Sequence, residues 1–178
     1  MAKKLENKKI AFLVANGFEE SELAEPKKAF DQEGATTHII SPEKDTVRAW
    51  SGGDWSSSYN VDVALDAAHP DEYDALVLPG GVINPDKLRL QPKAIEFIKS
   101  FAKADKPIAA ICHGPWTLID AGLVKGKTVT SWPSIRLDLE NAGANWVDTE
   151  VTVDNKLVTS RKPDDIPAFN KALIALLD

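Results

Sequence analysis

The sequence predicts an α/β fold built on a mostly parallel central sheet with helices on both faces. Two observations carry this. Short apolar runs at residues 9–15, 35–40, 74–78 and 108–112 alternate with helix-like segments at 19–33 and 91–104. Several of those runs, 108–112 above all, are continuously apolar rather than alternating, the pattern of strands buried on both faces. A strand–helix–strand unit of this kind joins parallel neighbours by a right-handed crossover.

Taken in order, residues 9–15 form the first strand, and Asn16-Gly17-Phe18 a loop at its end. Residues 19–33 carry acids in their first turn, where the positive helix end favours them, and Gly34 as a C-cap. Pro26 kinks this helix or marks its true start. Residues 35–40 are the second strand, after which the Ser-, Gly- and Asp-rich stretch 41–72, with Trp50 and Trp55, breaks the rhythm. Here 47–50 and 61–65 are expected to pair as a short β excursion. The strand at 74–78 ends in Pro79-Gly80-Gly81, whose glycines permit a tight turn and close backbone approach to a ligand. The segment 91–104 places Ile95, Ile98, Phe101 and Ala102 on one helical face. Beyond the strand at 108–112, another is expected at 127–130, then a helix at 135–141 capped by Ser134 and ended by Gly143. A hairpin follows at 151–159 through an Asp154-Asn155 turn, then a closing helix at 163–177. The chain shows no repeat or linker-like tract, so residues 1–178 are expected to form one domain.

Composition narrows the function. A net charge of −6 argues against nucleic acid or an anionic membrane as the main partner. No apolar stretch approaches membrane-spanning length, and the N-terminus carries charge without a signal-type core, so a cytoplasmic protein is expected. One cysteine excludes an intrachain disulfide and a multi-cysteine metal site. His38, His69 and His113 are scattered, with no ligand spacing, and no glycine-rich phosphate loop is present; neither metal nor other cofactor is expected.

The candidate chemistry centres on Cys112-His113-Gly114-Pro115. An apolar strand running into His-Gly-Pro and then a helix places the cysteine at a sharp turn, the geometry of a nucleophile elbow. Such a turn exposes the sulfur, aims backbone N–H groups at whatever it attacks, and sets it near a positive helix end, so a lowered thiol pKa is expected. Ligands of open parallel sheets bind beyond the carboxyl ends of the strands, and three loops would meet there: residues 16–22, Pro79-Gly80-Gly81 and Cys112-His113-Gly114. The amides of Gly81 and His113, with Gly80 and Gly114 nearby, are the expected oxyanion and substrate-binding groups.

Ile111-Cys112-His113-Gly114-Pro115, Leu78-Pro79-Gly80-Gly81, Phe18-Glu19-Glu20-Ser21-Glu22 and Leu157-Val158-Thr159-Ser160-Arg161, in that combination, resemble the DJ-1/PfpI superfamily, closest to its PfpI-type protease and general-stress-protein branch. The resemblance implies a flavodoxin-like three-layer sandwich related to class I glutamine amidotransferases. It implies a homodimer, in some members a hexamer. It identifies Glu22 with the carboxylate beside the cysteine, and Asp86 with an acid that orients His113 of a neighbouring subunit, a place where Glu is more familiar. Two classes of function follow: a cysteine hydrolase acting on a peptide or small-molecule carbonyl (peptidase, or deglycase or glyoxalase-like), or a redox sensor whose thiol oxidises to sulfenic or sulfinic acid.

Overall fold

A computed structural model describes residues 2–178. The strands are β1 (Lys9–Leu13), β2 (Phe18–Glu19), β3 (Thr36–Ser41), β4 (Thr46–Ser51), β5 (Asp54–Asn60), β6 (Val63–Ala64), β7 (Ala75–Leu78), β8 (Ile108–Ile111), β9 (Thr128–Val129), β10 (Asn145–Trp146), β11 (Thr152–Asp154) and β12 (Leu157–Ser160). The α-helices are α1 (Glu20–Gln32), α2 (Ile83–Leu88), α3 (Pro92–Lys103), α4 (Trp116–Asp120), α5 (Arg136–Asn141) and α6 (Ile166–Leu177). The main sheet has the order β11-β12-β8-β7-β1-β3-β6, and only its edge strand β11 runs antiparallel to its neighbour.

The period-2 geometry of a strand sends neighbouring side chains to opposite faces, and here both faces are apolar. Ala11 and Leu13 of β1 join Phe97, Ile98 and Phe101 of α3 in one core. Ile10 and Phe12 join Leu23 and Phe30 of α1 and Phe169 and Leu173 of α6 in the other. This is the three-layer α/β arrangement the alternation predicts, and burial of each of its Leu, Ile and Phe side chains stabilises it by about 1.5–3 kcal/mol. From β1 the chain moves outward to β3 and β6, then returns to β7 on the other side of β1. The sheet therefore switches direction between β1 and β7, and the crevice at their carboxyl ends is where such folds bind ligands.

The stretch 41–72 departs from expectation. β4 pairs with β5, a Ser-rich strand that its composition conceals, and residues 63–64 instead join the main sheet beside β3. The overlooked signal is Gly52-Gly53: Ser51 pairs with Asp54, and both glycines have positive φ (61° and 83°), the requirement of a two-residue hairpin turn. Trp50 and Trp55 then meet edge-to-face across the hairpin at 5.4 Å. Elsewhere the corrections are small. β9 forms a separate two-stranded sheet with β10, and the late hairpin turns through Asn155-Lys156, since Asp154 pairs with Leu157. A 3₁₀ turn at Pro133–Ile135 precedes α5, and another at Pro163–Asp165 precedes α6. Pro26 lies inside α1 and is buried there. Among the described residues no helix is long and apolar enough to cross a membrane.

Candidate active site

Cys112 directly follows β8 and has φ of 62°, a left-handed conformation that costs a non-glycine residue about 1–2 kcal/mol. Two hydrogen bonds hold it there: its N–H donates to Ser160 O at 3.0 Å, and its carbonyl accepts from Trp132 N–H at 2.9 Å. The strain turns the side chain into the crevice, which is the purpose of an elbow. The sulfur opens onto a cavity of about 510 Å³, walled chiefly by Glu19, Trp50, Ile83, His113 and Trp132.

The three loops expected to converge do so. Glu22, in the first turn of α1, is 0% exposed and beside the sulfur, and its Oε1 accepts the Gly80 N–H at 2.9 Å. Its other oxygen is buried with no conventional hydrogen-bond partner among the described residues. Burial, with the charge of Glu19 adding to it, pushes the Glu22 carboxyl up to about 8, so it holds its proton at neutral pH. His113 follows in chain and space: Nδ1 lies 3.4 Å from Cys112 Sγ, and the ring packs edge-on to Trp116 and nearly parallel to Trp132.

Three expectations need correction. The elbow was expected to lower the thiol pKa. Backbone N–H groups of Gly81 and His113 do reach the sulfur and pull in that direction, but burial and the neighbouring Glu22 outweigh them and push the thiol up. The reason is solvent: the elbow turns the side chain into a crevice where Cys112 is only 8% exposed, rather than lifting it into water. Gly80 and Gly114 are not free oxyanion donors, because their amides are already used, by Glu22 Oε1 and by Ile111 O at 2.8 Å. Gly80 serves by having no side chain, since a Cβ there would stand 2.6 Å from Glu22 Oε1 and 2.8 Å from Cys112 Cβ. Ser134 was expected to cap the helix at 135–141, but its hydroxyl meets His113 Nε2 at 3.2 Å and α5 has no side-chain cap.

Asp86 sits on α2, which starts two residues past Gly81 and runs through the Asn84-Pro85 step. Its side chain is exposed and makes no hydrogen bond among the described residues; within one chain the Nε2 position belongs to Ser134. Asn84, two residues earlier, carries a role that the sequence analysis does not assign. It is fully buried, accepts from Ala15 N–H at 2.7 Å, and donates to Pro79 O and Gly80 O at 3.0 and 3.1 Å. One amide thus clamps the ends of β1 and β7 together and fixes the loop that carries Gly81. The only signal in the sequence was a polar residue at the start of an otherwise apolar turn.

The geometry is therefore a thiol at a strained strand–helix turn, an imidazole against it, a protonated carboxyl beneath it and two backbone amides aimed at it. A family model described as DJ-1/PfpI matches residues 8–176. The chain belongs to the DJ-1/PfpI family. Within it, General stress protein 18 of Bacillus subtilis is 46% identical over 173 residues, covering 96% of this chain and 98% of that protein. Deglycase PfpI of Pyrococcus furiosus is 44% identical over 169 residues, covering 95% and 99%. A two-domain protein of Anabaena variabilis, with DJ-1/ThiJ/PfpI-like and ferritin-like domains, has a TM-score of 0.90 at 33% identity over 96% of this chain. This chain spans 48% of that structure's length, so the likeness concerns the DJ-1-like part.

Proposed function

We propose that the protein is a cytoplasmic, stress-related cysteine hydrolase of the DJ-1/PfpI family, acting on small carbonyl compounds or glycated adducts rather than on folded proteins. The observation that carries this is the 3.4 Å approach of His113 Nδ1 to Cys112 Sγ at the wall of a half-open cavity. The names of its relatives, a deglycase and a stress protein, agree with that chemistry. A buried thiol whose pKa is raised needs a base at the moment of attack, and His113 supplies one. In the proposed step, sulfur bonds to the carbonyl carbon while its proton passes to Nδ1. The carbonyl π pair moves to oxygen, facing the amides of Gly81 and His113. Where the attacked carbon bears an amine or thiol, the imidazolium, whose pKa burial holds below the ordinary value, returns the proton to that group as its bond to carbon breaks, and water then cleaves the resulting thioester to a carboxylic acid and the free Cys112 thiol. A dicarbonyl such as methylglyoxal has no leaving group: the imidazolium protonates the new alkoxide to a hemithioacetal, a proton shift through the enediol turns this into the thioester of a hydroxy acid, and the same water step releases it. A redox sensor would work better with a resting thiolate, which this site disfavours. The test is mass spectrometry of the protein quenched during incubation with methylglyoxal, a glycated thiol or a peptide. An adduct on Cys112 that decays with product release is expected; its absence with every substrate class would refute the reading.

The walls of the cavity also set a charge preference. Glu19 lines it, Glu22 beside it is neutral while it holds its proton, and among the described residues no Lys or Arg lines it. A neutral dicarbonyl such as methylglyoxal is therefore expected to exceed the anion glyoxylate in kcat/KM by about tenfold, through electrostatic repulsion alone. Glu19→Gln should narrow that ratio, and a ratio near one in the unmodified protein would contradict it.

We further propose that the active form is at least a homodimer in which Asp86 reaches His113 of the neighbouring subunit. Support comes from the exposed, unbonded Asp86 and from exposed Val82 and Leu90 flanking it on the same surface segment. Mixing inactive Cys112→Ser with inactive Asp86→Ala subunits should restore roughly a quarter of the activity in statistically mixed dimers, since each heterodimer rebuilds one site. No recovery in verified mixed oligomers would remove Asp86 from the site.

A further inference from the structure

We infer that Ser134 is a positioning residue for the proposed reaction: its hydroxyl accepts the Nε2–H of His113 and so holds the imidazole with Nδ1 unprotonated towards Cys112. The inference rests on the hydrolase reading for its purpose but on geometry for its content. His113 has two ring nitrogens and, among the described residues, one side-chain polar contact at each, Cys112 Sγ at 3.4 Å from Nδ1 and Ser134 Oγ at 3.2 Å from Nε2. A neutral imidazole carries one proton, so the partner on one nitrogen decides what the other can do. Near neutral pH Glu22 and the thiol both hold protons, which leaves Nδ1 as the side-chain acceptor against the sulfur. The ring proton then belongs on Nε2, pointing at Ser134.

The placement of Ser134 supports this use. It lies in the Pro133–Ile135 turn immediately after Trp132, whose N–H donates to the Cys112 carbonyl. The elbow and the hydroxyl that serves its base are therefore tied together by the main chain, and Trp132 stacks on the same imidazole. Ser134 makes no other side-chain hydrogen bond among the described residues and caps no helix, so the bond to His113 is the role the structure gives it. A serine hydroxyl that accepts from Nε2 still has its own proton to donate. In the proposed dimer the neighbour's Asp86 then reaches His113 through Ser134, accepting the hydroxyl proton, which gives a chain Cys112–His113–Ser134–carboxylate.

The test uses the full-length protein with Ser134→Ala and Ser134→Thr. Ser134 is exposed, so neither change burdens the core. The ¹⁵N shifts of His113 report the tautomer, and the rate of iodoacetamide alkylation reports the reactivity of Cys112 without any substrate. Expected for Ser134→Ala are a shift away from the Nε2–H tautomer and alkylation at pH 7 slowed about five- to tenfold, the effect of one neutral hydrogen bond. For any substrate that is turned over, kcat should fall with KM little changed. Ser134→Thr should retain the parent behaviour. Unchanged ¹⁵N shifts or alkylation in the Ala variant, or a Thr variant as impaired as Ala, would overturn the inference. Because alkylation and tautomer need no turnover, these outcomes stand apart from a failure to detect hydrolysis, which would fall on the proposed function instead.

Discussion

Cys112→Ser is expected to lower kcat/KM for carbonyl substrates by at least about 10³-fold, with little loss of folding stability. Oxygen and sulfur fit the same space at the elbow, and the main-chain bonds to Ser160 and Trp132 do not involve the side chain. What changes is the proton. His113 is a weakened base, because burial disfavours its charged form. It can remove a proton from a thiol during attack, but a serine hydroxyl is several pH steps more reluctant to lose one. No second thiol exists to substitute, since Cys112 is the one cysteine of the chain. Steady-state kinetics on wild type, Cys112→Ser and Cys112→Ala check this. A serine variant within tenfold of wild type would mean that the sulfur is not the attacking atom.

The second large effect is on stability and depends on pH. Glu22 has its carboxyl raised from an ordinary 4.5 to about 8 by complete burial. Below about pH 4.5 it is neutral in both folded and unfolded chains, and the folded state bears no penalty. Between 4.5 and about 8 the unfolded chain releases the proton while the folded chain keeps it, so the contribution is progressively lost as pH rises. Above about 8 the full loss is in place. At about 1.4 kcal/mol per pH step, it amounts to roughly 3–5 kcal/mol. Glu22→Gln mimics the neutral acid: its carbonyl oxygen can accept from Gly80, and its amide can donate towards the sulfur. The variant should match wild type in denaturant unfolding near pH 4.5 and exceed it by roughly 3–5 kcal/mol near pH 9. A stability difference that stays constant from pH 4.5 to 9 would show that Glu22 does not carry a raised pKa. The same variant changes the hydrogen-bond donor beneath the sulfur, so its peroxide sensitivity should change as well.

What the sequence determined by itself was the scaffold and the address of the chemistry. The apolar runs of β1, β7 and β8 could be buried only as inner strands, and their order with the helices left few sheets to choose from. A lone cysteine before His-Gly-Pro at the end of such a strand located the thiol, and local sterics made the elbow. Glu22 was legible because it followed a recognisable motif after β1. The tertiary structure decided everything that depends on which groups share a dry crevice. Whether the thiol is raised or lowered is a contest between backbone amides and desolvation, and only the enclosure around Cys112 shows that desolvation wins. Gly80 looked like a donor until Glu22 claimed its amide, and Ser134 looked like a cap until the turn after Trp132 carried it to His113. Asn84 gave little sequence signal beyond being polar among apolar neighbours, because its importance lies in three backbone groups from two strand ends that only folding brings within its reach. Periodicity is a local property and can be seen in a string of residues; proton placement is set by distance and solvent exclusion between residues far apart in that string, and exists only once the chain has closed around them.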